Sequence, residues 1–267
     1  MSVTAIIGAG VMGETLLSGL VRAGRPPADL LVGEKRPERA RELEEKYAVS
    51  VVSNLDATKR AATIALVVKP QDMAGLLDEI GRAVRPGQLV VSLAAGITTS
   101  FLESRLPDGV PVVRVMPNTP ALVDEGMAGI APGLHCDDEH LAIAEDLLGS
   151  TGRVVRVPES QMDAVTAISG TGPAYVFFVV ESMIEAGVHL GLPRATATEL
   201  VVQTLVGSAK MLRETGTHPT VLREQVTSPG GTTAAALREL EVHKVRAAFL
   251  AAMEAARNRS AQLAEGS

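Results

Sequence analysis

The segment VTAIIGAGVMG, residues 3–13, decides the fold of this chain. A short β-type run leads into three glycines, Gly8, Gly10 and Gly13, with G-x-G-x-x-G spacing, and a helical pattern follows. In dinucleotide-binding folds the first glycine permits a tight turn, the second lets a pyrophosphate approach the backbone, and the third lets helix and strand pack closely. The segment therefore predicts a dinucleotide site at a helix N-terminus; a merely structural glycine turn is the alternative.

From residue 1 to about 158, short β-rich runs alternate with helical patterns, which is typical of a parallel sheet covered by helices. The predicted strands are VTAII, LLV, VSVV, TIALVV, LVVSL and VPVVRV, with helices over 11–23, 37–47, 73–84 and 99–105. Two further runs, MAGIA and RVVRV, flank a helical segment at 137–148 and are predicted to extend the sheet. We expect one α/β domain with a doubly wound, mostly parallel sheet.

After Pro158 the β-type runs stop, and Gly- and Pro-rich punctuation separates helical patterns. This change predicts a domain boundary, with a nucleotide domain over 1–158 and an all-α domain over 159–267. The segments 174–190 and 196–213 are apolar around most of their circumference, so we expect a partner subunit to cover them in a homo-oligomer. The alternative is that they form the centre of one compact bundle. The tail after Arg257 is expected to fray.

Composition excludes several classes of function. The 267 residues include 25 basic and 31 acidic side chains, four Phe, two Tyr and no Trp. A net charge of −6 and so few aromatic residues argue against nucleic acid or an anionic membrane as a partner. Cys136 is the single cysteine, so cysteine-cluster metal sites are excluded and no metal site is predicted. No basic start or run of about 18 apolar residues is present, so a soluble cytoplasmic protein is expected.

The end of the second predicted strand bears on cofactor choice. Glu34 lies about 20 residues beyond Gly13, where an acidic residue binds the ribose 2′-hydroxyl of NAD. Lys35 and Arg36 follow directly and suit the 2′-phosphate of NADP. NADPH is favoured over NADH, because Glu34 can orient Arg36 instead of taking the ribose. These residues could also be no more than solvated charges.

Three more strand ends supply candidate contacts, because ligands of open α/β sheets lie beyond the carboxyl ends of the strands. These segments are VVKP at 67–70, SLAAG at 92–96 and VMPNTP at 115–120. Their small residues leave room for a ribose and nicotinamide, while Lys69 and Asn118 offer a positive charge and an amide.

The stretch VTSPGGTTAAALREL, residues 226–240, opens an Ala-rich helical pattern with hydroxyls and glycines. Thr227 or Ser228 is a suitable N-cap, with Pro229 in the first turn and the amides of Gly230 and Gly231 uncovered. Three hydroxyl residues surround these amides: Ser228, Thr232 and Thr233. The stretch predicts a socket for a small carboxylate, unless it is only a capped and tightly packed helix start.

A second stretch, SGTGPAYVF at 169–177, repeats this composition. It supplies the hydroxyls of Ser169 and Thr171, two glycines, and Pro173 near the predicted first turn of a helix. Two such stretches in one helical domain are hard to explain as helix caps alone. We expect them to enclose a small polar substrate against the nicotinamide.

These motifs resemble the pyrroline-5-carboxylate reductase family along essentially the whole chain. The likeness rests on GAGVMG, VVKP, SLAAGI, VMPNTPALV, DAVTAISGTGPAYVF, GSAKML and VTSPGGTTAAALRELE, in the family's order and spacing. The resemblance implies an N-terminal Rossmann domain, a helical C-terminal domain that forms homodimers and often a ring of dimers, and reduction of L-1-pyrroline-5-carboxylate to L-proline with NADPH or NADH.

The resemblance also assigns roles to residues. It puts Lys35 and Arg36 at the adenosine ribose with Asn54 nearby, although family members often have Ser or Thr where Glu34 and Lys35 stand here. With the strand-end residues, the predicted cofactor contacts are Gly8, Gly10, Val11, Met12, Gly13, Glu34, Lys35, Arg36, Asn54, Lys69, Pro70, Ala95, Met116, Pro117, Asn118 and Thr119. The predicted substrate contacts are Ser169, Thr171, Ser228, Gly230, Gly231, Thr232 and Thr233.

The implied reaction needs little acid catalysis, because a cyclic imine is far more basic than a carbonyl oxygen. We expect Thr233, or a water that it holds, to supply a hydrogen bond or a proton to the imine nitrogen. The histidines lie outside the glycine stretches and are expected to be structural or on the surface: His135, His140, His189, His218 and His243.

Two other functions are compatible with a glycine loop of this kind, those of a dehydrogenase and of a nucleotide sensor. A β-hydroxyacid dehydrogenase of similar build would use a catalytic Lys on the helix after its second glycine loop, but residues 174–190 contain no Lys. A nucleotide-sensing protein would have lost its substrate loops, whereas both stretches here look complete.

Overall fold

The computed structural model describes residues 2–265. These residues pack as two units, one comprising 2–171 with 256–265 and the other 172–255. The domain boundary predicted at residue 158 rests on the change from β-type runs to helical patterns in the sequence, and it stays a prediction. The division by packing falls further along the chain, because the first helical segments after the sheet pack with the first unit.

The first unit is built on one sheet of eight strands in the order β3-β2-β1-β4-β5-β6-β7-β8. The strands are β1 (Thr4–Ile7), β2 (Leu30–Gly33), β3 (Ser50–Val52), β4 (Thr63–Leu66), β5 (Leu89–Ser92), β6 (Val112–Met116), β7 (Gly126–Pro132) and β8 (Gly152–Arg156). All neighbours pair in parallel except β6 and β7, which are antiparallel. The predicted doubly wound, mostly parallel sheet is confirmed, and both extra runs join it.

Seven α-helices of the described chain precede residue 166: α1 (Val11–Arg22), α2 (Pro37–Tyr47), α3 (Asn54–Arg60), α4 (Pro70–Ile80), α5 (Thr99–Glu103), α6 (Asp138–Gly149) and α7 (Met162–Val165). Helix α3 was not predicted. Helix α4 starts three residues before its predicted start at 73, because Lys69 serves as N-cap and Pro70 suits the first turn.

Both faces of the sheet are buried. Along β1, Ile6 packs into one apolar cluster with Leu16 and Leu17 of α1, whereas Ile7 packs into a second cluster with Met73 of α4. This alternation follows from the two-residue period of a strand. Because helices cover both faces, the parallel strands read as nearly continuous apolar runs. The packed sheet thus positions the loops that leave its carboxyl edge.

The second unit consists of helices: α8 (Gly172–His189), α9 (Arg194–Thr215), α10 (Pro219–Gln225), α11 (Thr232–Val242) and the first part of α12 (Val245–Glu265). Across α8 and α9, which are described in full, Ala197 is the one buried residue. Large apolar side chains stay exposed, among them Phe177 at 66% and Phe178 at 70%. Segments 174–190 and 196–213 are thus not the buried centre of one compact bundle within the described chain, and their cover by a partner subunit stays a prediction here.

The apolar character extends over a longer helical run. Within the run Glu159–His189, a window of 18 residues has a mean hydropathy of 1.3, high enough for a membrane span, and 6% of that window is buried. The sequence predicts that no stretch reaches the roughly 18 apolar residues of a membrane span, whereas this run passes that test by length and composition. Length and composition do not separate a membrane span from a helix that another protein covers.

The end of α12 packs with the first unit. Ser260, which is 7% exposed, donates a hydrogen bond of 2.7 Å to Asp163 Oδ1. A Cβ on Gly96 would lie 3.9 Å from Cβ of Leu263. The expectation that the tail after Arg257 frays is wrong as far as residue 265; residues 266–267 lie outside the described part of the chain.

Candidate functional site

The three glycines after β1 have different surroundings. A Cβ on Gly8, whose φ is +98°, would lie 2.5 Å from the carbonyl oxygen of Val67, and a Cβ on Gly13 would collide with the carbonyl oxygen of Gly8. Within the described chain, a Cβ on Gly10 would meet nothing within 4 Å. Gly10 is also the N-cap of α1 and makes no side-chain cap. Bare amides beside an open space fit the pyrophosphate of a dinucleotide.

The glycine loop lies where the strand order reverses. Strand β1 has β2 on one side and β4 on the other, and β1, β4, β5 and β6 run parallel. The chain therefore leaves all four strands at the same edge of the sheet. This edge brings together the predicted segments 8–13, 67–70, 92–96 and 115–120. In open α/β sheets this crevice is the ligand site.

A cavity of about 530 Å³ lies at one end of this crevice, between β1, β2 and α4, where the sequence predicts the adenosine ribose. Glu34, Lys35 and Asn54, all predicted cofactor residues, line it together with Asp72. Asn54 starts α3 and is 6% exposed. A Cβ on Gly33 would lie 2.5 Å from Oδ1 of Asn54, so the glycine at the end of β2 allows this asparagine to approach.

Glu34 holds Arg36. The Glu34 carboxylate accepts hydrogen bonds from the Arg36 backbone N–H at 2.9 Å, from Nε at 3.1 Å and from Nη2 at 3.0 Å. Burial works against ionisation of Glu34, but the hydrogen bonds from Arg36 outweigh it and keep the pKa of Glu34 below its ordinary value. The side chain of Glu34 is 8% exposed and that of Arg36 is 66% exposed. Glu34 therefore orients a guanidinium that faces solvent.

Lys35 is engaged by a residue that sequence reasoning missed. Lys35 Nζ donates to Glu79 Oε2 at 2.7 Å, and Asn54 Nδ2 approaches the same oxygen at 3.4 Å. Glu79 belongs to α4 and lies 44 residues from Lys35 along the chain. No local motif in the sequence signals this contact, which arises because α4 packs beside the end of β2.

An ionic cluster joins the glycine loop to α2. Arg39 Nε donates to the carbonyl oxygen of Ala9 at 3.3 Å, and the Arg39 guanidinium also pairs with Glu14 of α1. Lys46 and Tyr47 each donate to Glu14 at 2.8 Å. Hydrogen bonds from Lys46, Arg39 and Tyr47 lower the pKa of Glu14 to about 2, against the opposing effect of burial. The cluster fixes the loop relative to both helices.

The side-chain amide of Asn118, predicted to face the ligand, has protein partners. Its Nδ2 donates to the carbonyl oxygen of Ser169 at 3.3 Å and lies 3.2 Å from the Ser169 hydroxyl, while its Oδ1 accepts from Met127 N–H at 2.8 Å. Asn118 therefore links β7 to residue 169. A contact of Asn118 with the cofactor stays a prediction.

Pro173 lies in the first turn of α8, which begins at Gly172, as the sequence predicts. The helical state of the residues just before it was not expected. Residues Thr166–Gly170 form a π-helical turn between α7 and α8, in which the Thr171 N–H bonds Thr166 O at 2.9 Å. The Thr171 hydroxyl donates back to Ala167 O at 2.9 Å. Pro173 has no N–H to offer the carbonyl four residues earlier, and that carbonyl, of Ser169, accepts from Asn118 instead. Wide turns of this kind recur at functional sites.

In the second unit, α11 begins later than predicted. Ser228 O accepts from Gly231 N–H at 3.0 Å, and Gly230 has a φ of +66°, so residues 228–231 form a turn with Pro229 ahead of the glycine. Gly231 is the N-cap, and the helix starts at Thr232. The predicted cap at Thr227 or Ser228 is wrong, because the proline serves the turn instead of the first helical turn.

This shift moves the bare amides. Gly231 N–H already has an acceptor, so of the two predicted glycine amides only that of Gly230 stays a predicted donor, and the first amides of α11, those of Thr232 and Thr233, join it as candidates. A Cβ on Gly231 would collide with the Ser228 hydroxyl. Hydroxyls and helix amides are still gathered at one helix N-terminus, as a carboxylate socket requires.

Other reactive side chains serve the structure. His140 Nδ1 accepts from Asp137 N–H at 3.2 Å and closes a capping box at α6. Cys136 Sγ lies 3.0 Å from Val112 O, and burial raises the pKa of the Cys136 thiol. Among residues 2–265 no three His, Cys, Asp or Glu side chains are grouped so as to hold a metal ion. Helix α8 contains no Lys.

Two family models match the chain. One, described as pyrroline-5-carboxylate reductase dimerisation, matches residues 159–263. The other, described as NADP oxidoreductase coenzyme F420-dependent, matches residues 3–96. The two matches fall on the helical part and on the glycine-loop part of the chain respectively.

Full-length relatives carry the same name as the first of these models. A pyrroline-5-carboxylate reductase of Mycobacterium leprae is 46% identical over 98% of this chain and 97% of its own. The solved structure of a pyrroline-5-carboxylate reductase from Coxiella burnetii is 35% identical, with a TM-score of 0.95 over 98% of both chains. A pyrroline carboxylate reductase of Plasmodium falciparum, solved with NADP bound, is 30% identical, with a TM-score of 0.86 over 98% of both chains.

Proposed function

The chain belongs to the pyrroline-5-carboxylate reductase family, and from this membership we propose how its residues carry out the reaction. The protein is an NAD(P)H-dependent oxidoreductase that reduces the C=N bond of L-1-pyrroline-5-carboxylate to give L-proline. The observation that carries this function is the similarity over nearly the whole chain to reductases of that name, one of them 46% identical. The β-hydroxyacid dehydrogenase alternative is not favoured, and α8 lacks the Lys it requires.

A bound dinucleotide would supply the hydride that adds to the imine carbon, C2 of the 1-pyrroline ring, while the ring nitrogen carries a proton. The chain holds the dinucleotide with the amides after β1, where Gly8 and Gly13 are required by the backbone around them and Gly10 leaves the approach open. Arg36 and Lys35 are proposed to contact the adenosine ribose and to bind its 2′-phosphate. The segments 67–70, 92–96 and 115–120 line the other half of the crevice.

The start of α11 is our candidate for the carboxylate anchor. Amides of Thr232 and Thr233, with the Ser228 hydroxyl, provide donors without an Arg clamp. Ser169 and Thr171 are proposed as further substrate contacts. Because the Thr171 hydroxyl donates to Ala167 O, its oxygen can serve a substrate N–H only as an acceptor.

Thr233 is proposed to supply a hydrogen bond or a proton to the ring nitrogen, directly or through a water. The imine is basic enough to carry its own proton, so the protein needs to supply orientation and one hydrogen bond, not a strong acid. This agrees with the structural roles of His140 and Cys136. Most of the rate enhancement is then expected from holding the two reactants in place.

Several finer properties follow as proposals. We propose that NADPH is preferred to NADH, because Glu34 orients Arg36 and does not face the ribose alone. The C-terminal part is a dimerisation domain, and a homodimer or a ring of dimers would cover its apolar helices. We place the protein in the cytoplasm, at the last step of proline biosynthesis, with a small molecule as substrate and neither nucleic acid nor a membrane as partner.

The test is pyrroline-5-carboxylate-dependent oxidation of NADPH and of NADH, followed at 340 nm. Turnover that yields proline supports the function, with a higher kcat/KM for NADPH. An alcohol substrate that turns over in place of the imine would point to the dehydrogenase instead. Nucleotide binding without any turnover would point to a sensor that has lost its substrate site.

A further inference from the structure

The adenosine end of the crevice has both cations that suit a 2′-phosphate, and both are already paired. Arg36 is held by Glu34 at 3.0 Å and Lys35 by Glu79 at 2.7 Å. A further carboxyl, that of Asp72, lines the same cavity. The carboxylates at this end therefore offset part of the positive charge that favours a phosphate over a hydroxyl.

The two pairs differ in how tightly they are built. Glu34 is 8% exposed and grips Arg36 through two guanidinium nitrogens and the backbone. Glu79 is 34% exposed, and it meets Lys35, 73% exposed, through a single ammonium contact. An exposed single contact of this kind is weak and screened by salt. The Lys35 pair is thus the one that a bound phosphate can disrupt.

We propose that Glu79 is a specificity-determining residue that weakens discrimination for NADPH by competing with the 2′-phosphate for Lys35. NADH gains nothing from breaking this pair, because its 2′-hydroxyl carries no charge. NADPH must draw Lys35 from Glu79 and also tolerate the Glu79 charge nearby. This inference rests on the proposed function, because it concerns the same cofactor site.

Glu79→Gln tests the charge alone. The glutamine keeps the shape and a carbonyl oxygen that can accept from Asn54 Nδ2, which approaches Glu79 at 3.4 Å. The probes are 2′,5′-ADP and 5′-AMP, which differ by the phosphate, with binding measured by calorimetry and no turnover. We expect the ratio of their affinities to shift toward 2′,5′-ADP by about tenfold, and less at high salt.

Asp78→Asn is the matched control. Asp78 is the exposed neighbour of Glu79 on α4, and its substitution removes the same charge without touching Lys35. The control is expected to leave the affinity ratio within about twofold of the parent. An equal shift in Asp78→Asn would overturn the proposal, because the effect would then be that of general charge.

A double variant locates the effect. If Glu79 acts through Lys35, Glu79→Gln should bring little gain for 2′,5′-ADP in a Lys35→Gln background. A full gain in that background, or weaker binding of both probes to Glu79→Gln, would overturn the proposal. Failure of either probe to bind the parent protein would instead count against the dinucleotide site itself, so the two failures are distinguishable.

Discussion

Gly10 and Gly13 belong to the same loop, but their surroundings predict different outcomes for the same substitution. A Cβ at Gly13 collides with the carbonyl of Gly8, whereas a Cβ at Gly10 meets no described atom within 4 Å. Gly13→Ala should lower the free energy of unfolding by about 1–3 kcal/mol. Gly10→Ala should leave stability near that of the parent but weaken NADPH binding about tenfold or more, since the methyl group fills the approach of the pyrophosphate.

Thermal unfolding and titration of cofactor fluorescence measure the two effects separately. A Gly10→Ala protein that binds NADPH like the parent would remove Gly10 from the phosphate site. A Gly13→Ala protein with the parent's melting temperature would contradict the close packing of α1 against the loop.

Thr233 carries the prediction about chemistry. Thr233→Ala should lower kcat/KM for pyrroline-5-carboxylate by about tenfold or more, which is the worth of one hydrogen bond in the transition state. Thr233→Ser keeps the hydroxyl and should retain most of the activity, while Thr233→Val keeps the shape and should behave like the alanine variant. Steady-state kinetics at saturating NADPH give the comparison. Unchanged kinetics in Thr233→Val would assign the role elsewhere.

At this scale the sequence reveals contacts that lie close along the chain and misses those that packing creates. The two-residue spacing of Glu34 and Arg36 was enough to suggest their pairing, which the structure contains. Glu79 could not be found in this way, since it lies 44 residues from Lys35 and no motif joins them. The partners of Asn118 depend equally on the meeting of β7 with the π turn.

Among the elements, strands and long helices were predictable because their apolar periods are strong. Helix α3 was missed because it is short and polar and follows β3 at once. A local signal was present nonetheless: Ser53 caps the helix by accepting from Asp56 N–H, and the S-x-x-D spacing is that of a capping box.

The glycine-rich stretches show why element starts are hard to place. Pro followed by Gly suits a turn as well as the first turn of a helix, and at 228–231 the turn is formed. In the other stretch, the preceding residues 162–170 are already helical, so α8 begins at Gly172 directly after another helical segment and not after a loop. Sequence pattern alone does not contain the state of the preceding segment.

The contact between α1 and α2 predicts a pH effect. The pKa of Glu14 is about 2, against an ordinary 4.5. The ionised Glu14 therefore contributes its full stabilisation above about pH 4.5, and this stabilisation is lost as the pH falls toward 2. The free energy of unfolding of Glu14→Gln should therefore depend less on pH between 5 and 2 than that of the parent. Glu45→Gln, which removes an exposed carboxyl of α2, is the control.

Urea unfolding at a series of pH values measures this dependence. Parallel curves for Glu14→Gln and the parent would contradict the ion cluster. Parallel curves for Glu45→Gln and the parent are the expected control result.

For the whole molecule, the exposed apolar helices predict assembly. Phe177 is 66% exposed in the chain and lies in the part matched by the dimerisation family. Phe177→Asp should weaken the dimer by about 2 kcal/mol or more, roughly 30-fold, because it removes an aromatic contact and buries an unpaired charge. Sedimentation velocity over a range of protein concentrations measures the change.

Leu134→Asp is the control, since Leu134 is 82% exposed and lies outside the helical part. It should sediment like the parent. A Phe177→Asp protein that also sediments like the parent would mean that α8 is covered in some other way.

Assembly could be anticipated from sequence because an apolar surface all around a helix demands cover from somewhere. The packing of residues 256–265 with the first unit could not be anticipated. Their sequence is polar and Ala-rich, and the hydrogen bond of Ser260 with Asp163 joins positions 97 residues apart. The partner of Ser260 can be identified only once the fold is known.

That return of the chain has a mechanical consequence. Both ends of the described chain belong to the first unit, and the helical unit is spliced in between residues 171 and 256. Tension applied to the two ends would therefore load the nucleotide fold first. The inserted helices would come under tension only after the hydrogen bond of Ser260 and the packing of Leu263 had been broken.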